Sequence, residues 1–233
     1  MRLLALDATT TTCSVAYWSS GAVVANQEEI AGRRQAEILM PMVKNLMAEA
    51  AIEFDALDGI GVTQGPGSFT GVRIGLATAR GLALAAGLPL TGVTTLQALA
   101  AAPAPSERHG HMILALLDAR RDQVYGQLFS AEGAPAGAPF AAGVDSLPSR
   151  LAPICAPGAP LLLVGSGAPR AAPIVAAARW QYRLSDCPPY PQAATVATIV
   201  AARGFDKSAA APVAPLYLRE PGVNPVNRDP ASK

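Results

Sequence analysis

The chain has 233 residues, 51% of them hydrophobic and 15% charged, with a formal net charge of +1. That apolar content excludes charge-driven disorder, and the balanced charge excludes recognition of nucleic acid by bulk basicity. Aromatic residues make up only 5%, which leaves few rings for a single-strand stacking platform.

In chain order, 3–6 reads as a short apolar strand ending at Asp7. A Thr-rich turn follows, then a strand over 13–18, a turn at Gly21 and a third strand carried by Ala22, Val23 and Val24. Residues 35–51 read as a helix. They contain no Gly and a single Pro, Pro41, and the apolar positions Leu39, Met42, Val43, Leu46, Met47 and Ala50 recur at three and four. A buried strand at 60–62 runs into Thr63-Gln64-Gly65-Pro66-Gly67-Ser68-Phe69-Thr70-Gly71. A second helix over 72–86 stops at Gly87-Leu88-Pro89. Residues 90–93 form a strand, and Thr94 or Thr95 caps a short helix to Ala102.

The polar, Pro-containing stretch 103–110 is the linker candidate. Strands are expected at 112–117, ending at Asp118, and at 123–129, with a loose Ala/Pro/Gly loop over 131–143. A buried strand at 161–164 is closed by Gly165-Ser166-Gly167. Helices are expected at 173–180 and 194–203, and a mobile tail from 221 to 233. LLALDATTTTCSVAYW and ILALLDARRDQVYGQLF share a layout of apolar strand, Asp-Ala, polar turn and returning strand. The echo points to two duplicated α/β halves, each with a mixed sheet covered by helices. The expected division is 1–103 and 104–220.

The uncharged window 81–106 is long enough to span a bilayer, but Gly87, Pro89, Gly92, Pro103 and Pro105 break it into helix, turn, strand and linker. Asp7 interrupts the opening apolar stretch before a signal segment forms. Cys13, Cys155 and Cys187 are odd in number and far apart, which implies neither a disulfide scaffold nor a zinc site. A cytoplasmic protein with no membrane association is expected.

The loop GPGSFTG is the sharpest chemical feature. Its glycines and the helix start behind it make either an anion cradle or a tight strand-to-helix turn. Its spacing matches neither GxGxxG nor a P-loop, and no Lys follows. The following helix carries Gly71, Gly75, Ala79 and Ala83 at intervals of four, a smooth stripe open to a second helix. Val72, Leu76 and the stem of Arg80 form another apolar face, beside a helix rich in Met40, Met42 and Met47. Asp7 with Thr9 reads as a metal-phosphate holder or a Thr-rich turn, and Gly165 with Gly167 as a nucleotide approach or a turn. His109 and His111 both fall in or beside the linker, so no helical metal pair and no hydrolytic triad is available. No catalytic residue, metal or cofactor is assigned, and Asp7, Thr9, Gly165 and Gly167 are kept as weak cofactor-binding candidates.

These segments, together with RRQAEILMPMVKNLM, GIGVTQGPGSFTGVRIGLATARGLA, VGSG and PLYLRE, resemble in order the TsaB family. The resemblance implies an actin-like, Hsp70-like ATPase fold of two duplicated halves. It implies a non-catalytic dimerisation subunit that supports TsaD, which transfers the threonylcarbamoyl group to the adenosine beside the tRNA anticodon. TsaE joins them, tRNA is met only through the complex, and a homodimer is open to the chain alone. The implied TsaD interface lies on the two N-terminal helices, at Leu39, Met40, Val43, Leu46, Met47, Phe69, Gly71, Val72, Gly75, Leu76, Ala79 and Arg80. The family's usual His-Ser-Glu is Gln35-Ala36-Glu37 here. The alternatives are an ATP-binding actin-like phosphotransferase or ATPase, and a glycoprotease-like metallopeptidase.

Overall fold

The computed structural model describes residues 1–156, 158–205 and 213–219. Glu220 and the tail expected at 221–233 lie outside the described residues. The first part of the chain runs β1 (Leu3–Asp7), β2 (Thr12–Ser19), β3 (Ala22–Ile30), α1 (Gln35–Glu49), β4 (Gly59–Thr63), α2 (Phe69–Ala86), β5 (Leu90–Val93) and α3 (Thr95–Ala101). A short turn of helix α4 (Pro105–Arg108) leads into β6 (Met112–Asp118), β7 (Gln123–Phe129), β8 (Phe140–Gly143), α5 (Leu147–Leu151), β9 (Leu161–Val164), α6 (Ala168–Ala177), β10 (Tyr182–Leu184) and α7 (Ala193–Arg203).

Two five-stranded sheets result, ordered β3-β2-β1-β4-β5 and β8-β7-β6-β9-β10. In the first, β1 pairs antiparallel with β2 and parallel with β4, and β4 is parallel to β5. In the second, β6 pairs antiparallel with β7 and parallel with β9, and β9 is parallel to β10. The strand echo is thus a repeated topology.

The central strands read as continuous apolar runs because both their faces are covered. Leu4 and Leu6 of β1 join the cluster of α1 and α2, while Leu3 and Ala5 join that of α7. Leu114 and Leu116 of β6 face the cluster of α5 and α6; Ile113, Ala115 and Leu117 face α3. Helices α3 and α7 touch each other between the sheets. Each packs on the sheet of the other half: α3 on β6 and β7, and α7 on β1 and β2.

Local chemistry sets the ends. Thr94 Oγ1 accepts from Gln97 N at 3.0 Å, and Gln97 Oε1 accepts from Thr94 N at 3.1 Å, a reciprocal cap for α3. Ser68 caps α2 by accepting from Gly71 N, and Gly87 ends it at φ 64°, where a side chain would be strained.

Several expectations need correction. The third strand extends to Ile30 because pairing with β2 continues past its apolar opening. The loop expected over 131–143 ends in β8, held by its pairing with β7 rather than by any apolar period of its own. Helix α6 starts at Ala168 and ends at Ala177, with Pro169 in its first turn and Pro173 inside it. Pro fits a first turn, where its missing N–H is not needed. The linker carries α4, and α5 and β10 were not foreseen at all.

Candidate functional site

The β1–β2 turn is closed from three sides. Asp7 is fully buried, and its Oδ1 accepts from Thr9 Oγ1 at 2.7 Å, from Thr9 N at 3.3 Å and from Thr63 Oγ1 at the end of β4. Oδ2 is buried with no partner. Burial pushes the Asp7 carboxyl up to about 6 from its ordinary 3.8, against the pull of the Thr63 and Thr9 hydrogen bonds. Burial, with Asp7 and Glu29 nearby, likewise drives the Cys13 thiol up to about 12, so this cysteine is an inert thiol.

The glycine loop lies directly on that turn. Ser68 N donates to Thr9 O at 2.7 Å. A Cβ on Gly67 would fall 2.2 Å from Thr9 O, and one on Gly71 would fall 2.1 Å from Ala8 O. Backbone therefore fills the side of the loop that faces the β1–β2 turn, and the glycines permit that close approach. Gln35, where the resemblance implies His, is buried. It donates to Thr10 O and Gly32 O, each at 3.0 Å, so it ties the start of α1 to the same turn.

The second pair of weak candidates is also structural. Gly165, at φ 94°, would bring a Cβ to 2.3 Å from Leu116 O, and Gly167 N donates to Leu116 O at 3.0 Å. Asp7 and Thr9 meet in one network, whereas Gly165 and Gly167 are packed on β6 in the other half. Among the described residues no three His, Cys, Asp or Glu side chains gather as a metal-holding group.

Between the two turns lies a cleft of about 520 Å³. One wall holds the hydroxyls of Thr9, Thr10, Thr11, Ser68 and Thr70; the other holds Asp118, Arg120 and Ser166, with Phe69, Tyr125 and Tyr190 between them. Phe69 is expected from sequence at a partner interface, whereas nothing in the sequence joins it to Tyr125 and Tyr190, which follow 56 and 121 residues further along the chain.

The residues expected at a partner interface divide sharply. Leu39, Val43, Leu46, Met47, Val72, Leu76 and Ala79 are buried in the cluster between α1, α2 and the first sheet. Gly71 and Gly75 are buried as well, and a Cβ on Gly75 would sit 3.6 Å from Ala8 Cβ. The small-residue stripe thus admits β1 and β4 rather than another chain. Met40 is half-buried, and Phe69 and Arg80 are exposed. The outward face of α2 instead presents Ala77, Gly81 and Leu84, and Leu84 is 86% exposed. Sequence periodicity could not separate these two faces, since α2 is apolar on both.

A family model described as TsaD, tRNA N6-adenosine threonylcarbamoyltransferase, matches residues 21–140. The chain is 41% identical over 125 residues to the tRNA threonylcarbamoyladenosine biosynthesis protein TsaB of Escherichia coli, covering 54% of this chain and 53% of that protein. In these matches the chain spans about half the length of the curated relatives. The structure of YeaZ from Pseudomonas aeruginosa superposes with a TM-score of 0.74 at 31% identity, covering 93% of this chain and 99% of that one. The ethanolamine utilization protein EutJ of Carboxydothermus hydrogenoformans, at 12% identity and a TM-score of 0.55 over 85% and 89% of the two chains, shares the fold alone. The architecture is the actin-like one, with two mixed sheets flanked by helices.

Proposed function

The chain belongs to the TsaB family, and we propose that it is the non-catalytic dimerisation subunit of a cytoplasmic tRNA-modifying complex. In this reading it pairs with TsaD and supports transfer of the threonylcarbamoyl group to the adenosine beside the anticodon. TsaE joins the pair, and the lone chain self-associates through the same face. The halves 1–103 and 104–220 divide the work: the first carries the partner helices, and the second completes the cleft.

The observation that carries the partner role is the outer face of α2. Gly81 stands inside a helix, where glycine costs about 1 kcal/mol relative to alanine. Nothing lies within 4 Å of the Cβ it lacks. No contact within the described chain calls for that glycine, and Leu84 beside it leaves most of its side chain in water. A close-approaching helix from another protein accounts for both. On α1, Met40 and Pro41 extend the same kind of surface. The non-catalytic role is favoured by Asp7 of the β1–β2 turn, whose carboxyl is fully buried and held by Thr9 and Thr63 rather than turned to the cleft.

Leu84→Arg tests the reading. The side chain is exposed, so the fold should persist, while the charge would be buried in the interface. Co-purification with the organism's TsaD should be lost, and Met40→Ala should weaken it by about 1–2 kcal/mol. A folded Leu84→Arg protein that binds TsaD unchanged would place the interface elsewhere. Titration with ATP and magnesium tests the ATPase alternative, which requires turnover by the isolated chain.

A further inference from the structure

The chain has twelve Phe, Trp and Tyr residues in all, and four of them gather at the mouth of one cleft. Phe69, Tyr125 and Tyr190 line it. Tyr217 stacks on Phe69 from outside, with ring centroids 5.2 Å apart and planes tilted by 35°. Phe69 is 38% exposed and Tyr217 39%, so the pair presents ring surface to solvent. Arg73 lies over the Phe69 ring at 3.7 Å and donates through Nε to Tyr217 Oη at 3.1 Å.

The positive charge at this mouth has no acidic partner among the described residues: no carboxylate pairs with Arg73, Arg120 or Arg121. Helix α2, which carries Phe69 and Arg73, has no acidic residue. Across the cleft, Arg120, Arg121 and Asp122 take φ values of 62°, 52° and 56°. Three consecutive non-glycine residues in the left-handed region are a strained run, of the kind held at binding sites. That run brings Arg120 into the cleft wall.

We propose that this mouth binds an unpaired stretch of RNA. One base enters the cleft against Tyr125 and Tyr190, its neighbour stacks on Tyr217 and the Arg73 guanidinium, and Arg73 and Arg120 meet the intervening phosphates. Stacking on rings and guanidinium planes with a few arginines on the backbone is the chemistry of single-strand recognition. It needs no net basic charge on the whole chain. A free nucleotide has the same base and phosphate, but it would leave the exposed Phe69–Tyr217 pair outside the cleft unused. The stacking surface also continues outside the cleft, where only a longer strand would use it. The inference rests on the tRNA role above for the identity of the RNA, while its test does not, and it departs from the expectation that tRNA is met only through the complex.

The test uses the isolated full chain and fluorescence anisotropy with a labelled RNA hairpin bearing an unpaired loop, a blunt duplex of the same stem, and ATP and AMP as competitors. The hairpin should bind well above the duplex. Tyr217→Ala and Phe69→Leu should each weaken binding about ten-fold, with Tyr217→Phe close to the original because the ring is kept. Arg73→Gln and Arg120→Gln should each lower the log–log salt slope by about one. Equal binding of hairpin and duplex would overturn the proposal, as would binding of ATP or AMP without the hairpin. Unchanged hairpin affinity in both ring variants would overturn it too. Leu84 lies about 22 Å along α2 from Phe69, so loss of TsaD association in Leu84→Arg with hairpin binding intact would separate failure of the partner reading from failure of this one.

Discussion

The β1–β2 and β6–β7 turns begin from the same strand pairing and the same Asp-Ala dipeptide, yet Asp7 is fully buried while the Asp118 side chain is 46% exposed. The difference lies in what closes over each turn. At the first, β4 runs its full length beside β1, so Thr63 reaches Asp7, and Gly67 and Gly71 let α2 settle on the backbone. At the second, β9 ends at Val164, paired with Ala115, three residues short of Asp118. From the turn after β9, Ser166 meets the backbone of that aspartate, accepting from its N at 3.1 Å. The carboxylate turns outward, accepting from Arg120 N at 2.8 Å and pairing with Arg170 at 3.7 Å. One duplicated layout has therefore become a sealed structural knot on one side and an open, charged rim on the other. A cleft with one closed and one open wall follows from that divergence.

The largest expected effect tests the seal. Gly71→Ala sets a methyl 2.1 Å from a backbone oxygen that cannot move without shifting β1. Overpacking of this kind costs about 3 kcal/mol, and a chain of this size should lose about 6–12 °C in Tm. Gly167→Ala on the open side meets Val124 Cγ1 at 3.1 Å, Leu116 Cβ at 3.2 Å and the Leu116 carbonyl carbon at 3.3 Å, contacts that a shift of a few tenths of an ångström relieves. About 1 kcal/mol is expected there. Equal losses by urea titration would erase the contrast between the turns.

Next comes the buried carboxyl. Because Asp7 holds its proton up to about 6 in the folded chain and only to 3.8 when unfolded, its contribution is fully present below 3.8. It is lost as pH rises through about 6, a fall of about 3 kcal/mol across the window. Asp7→Asn keeps an acceptor for Thr9 and Thr63 and carries no charge, so its curve should keep the slope of the other titrating groups and lack this step. Melting at pH 4 and pH 7 reads both slopes. A wild-type chain no less stable at pH 7 than at pH 4, after subtraction of the Asp7→Asn curve, would mean that the carboxyl is solvated.

Much of this contrast was legible in the residues, and the gaps have physical causes. The apolar runs of β1, β4, β6 and β9 marked strands, and Gly87 and the pair Thr94 and Thr95 marked helix ends by their turn and capping chemistry. The Asp-Ala echo located both turns. The sequence could not show that Asp7 is enclosed, because Thr63 bonds it from 56 residues away. Nor could it show which face of α2 is covered: Gly75 and Gly81 look alike on paper, but one lies beside Ala8 and the other in open solvent. Strands β8 and β10 escaped notice because short edge strands depend on a neighbour's pairing more than on their own pattern. Phe69 stood out as an interface residue, but its gathering with Tyr125, Tyr190 and Tyr217 was not legible because those rings come from β7, the segment before α7 and residues 213–219.

The smallest effect sits on the open rim. Asp118→Asn removes one charge from an ion pair whose partners are 46% and 45% exposed. Such pairs contribute about 0.2–1 kcal/mol because water and side-chain entropy offset most of the attraction. Asparagine also keeps an oxygen for Arg120 N, so the turn's own hydrogen bond survives. The loss should lie near the bottom of that range, and it should vanish in about 1 M salt, where the screening length falls to about 3 Å. The pH step assigned to Asp7 should persist in the same salt, because its cause is burial rather than a distant charge. Guanidinium carries its own ions, so urea melts with and without added sodium chloride make the clean comparison. If Asp118→Asn costs as much as Gly71→Ala, or if its cost is indifferent to salt, the second turn is as tightly closed as the first, and the open wall of the cleft is lost with it.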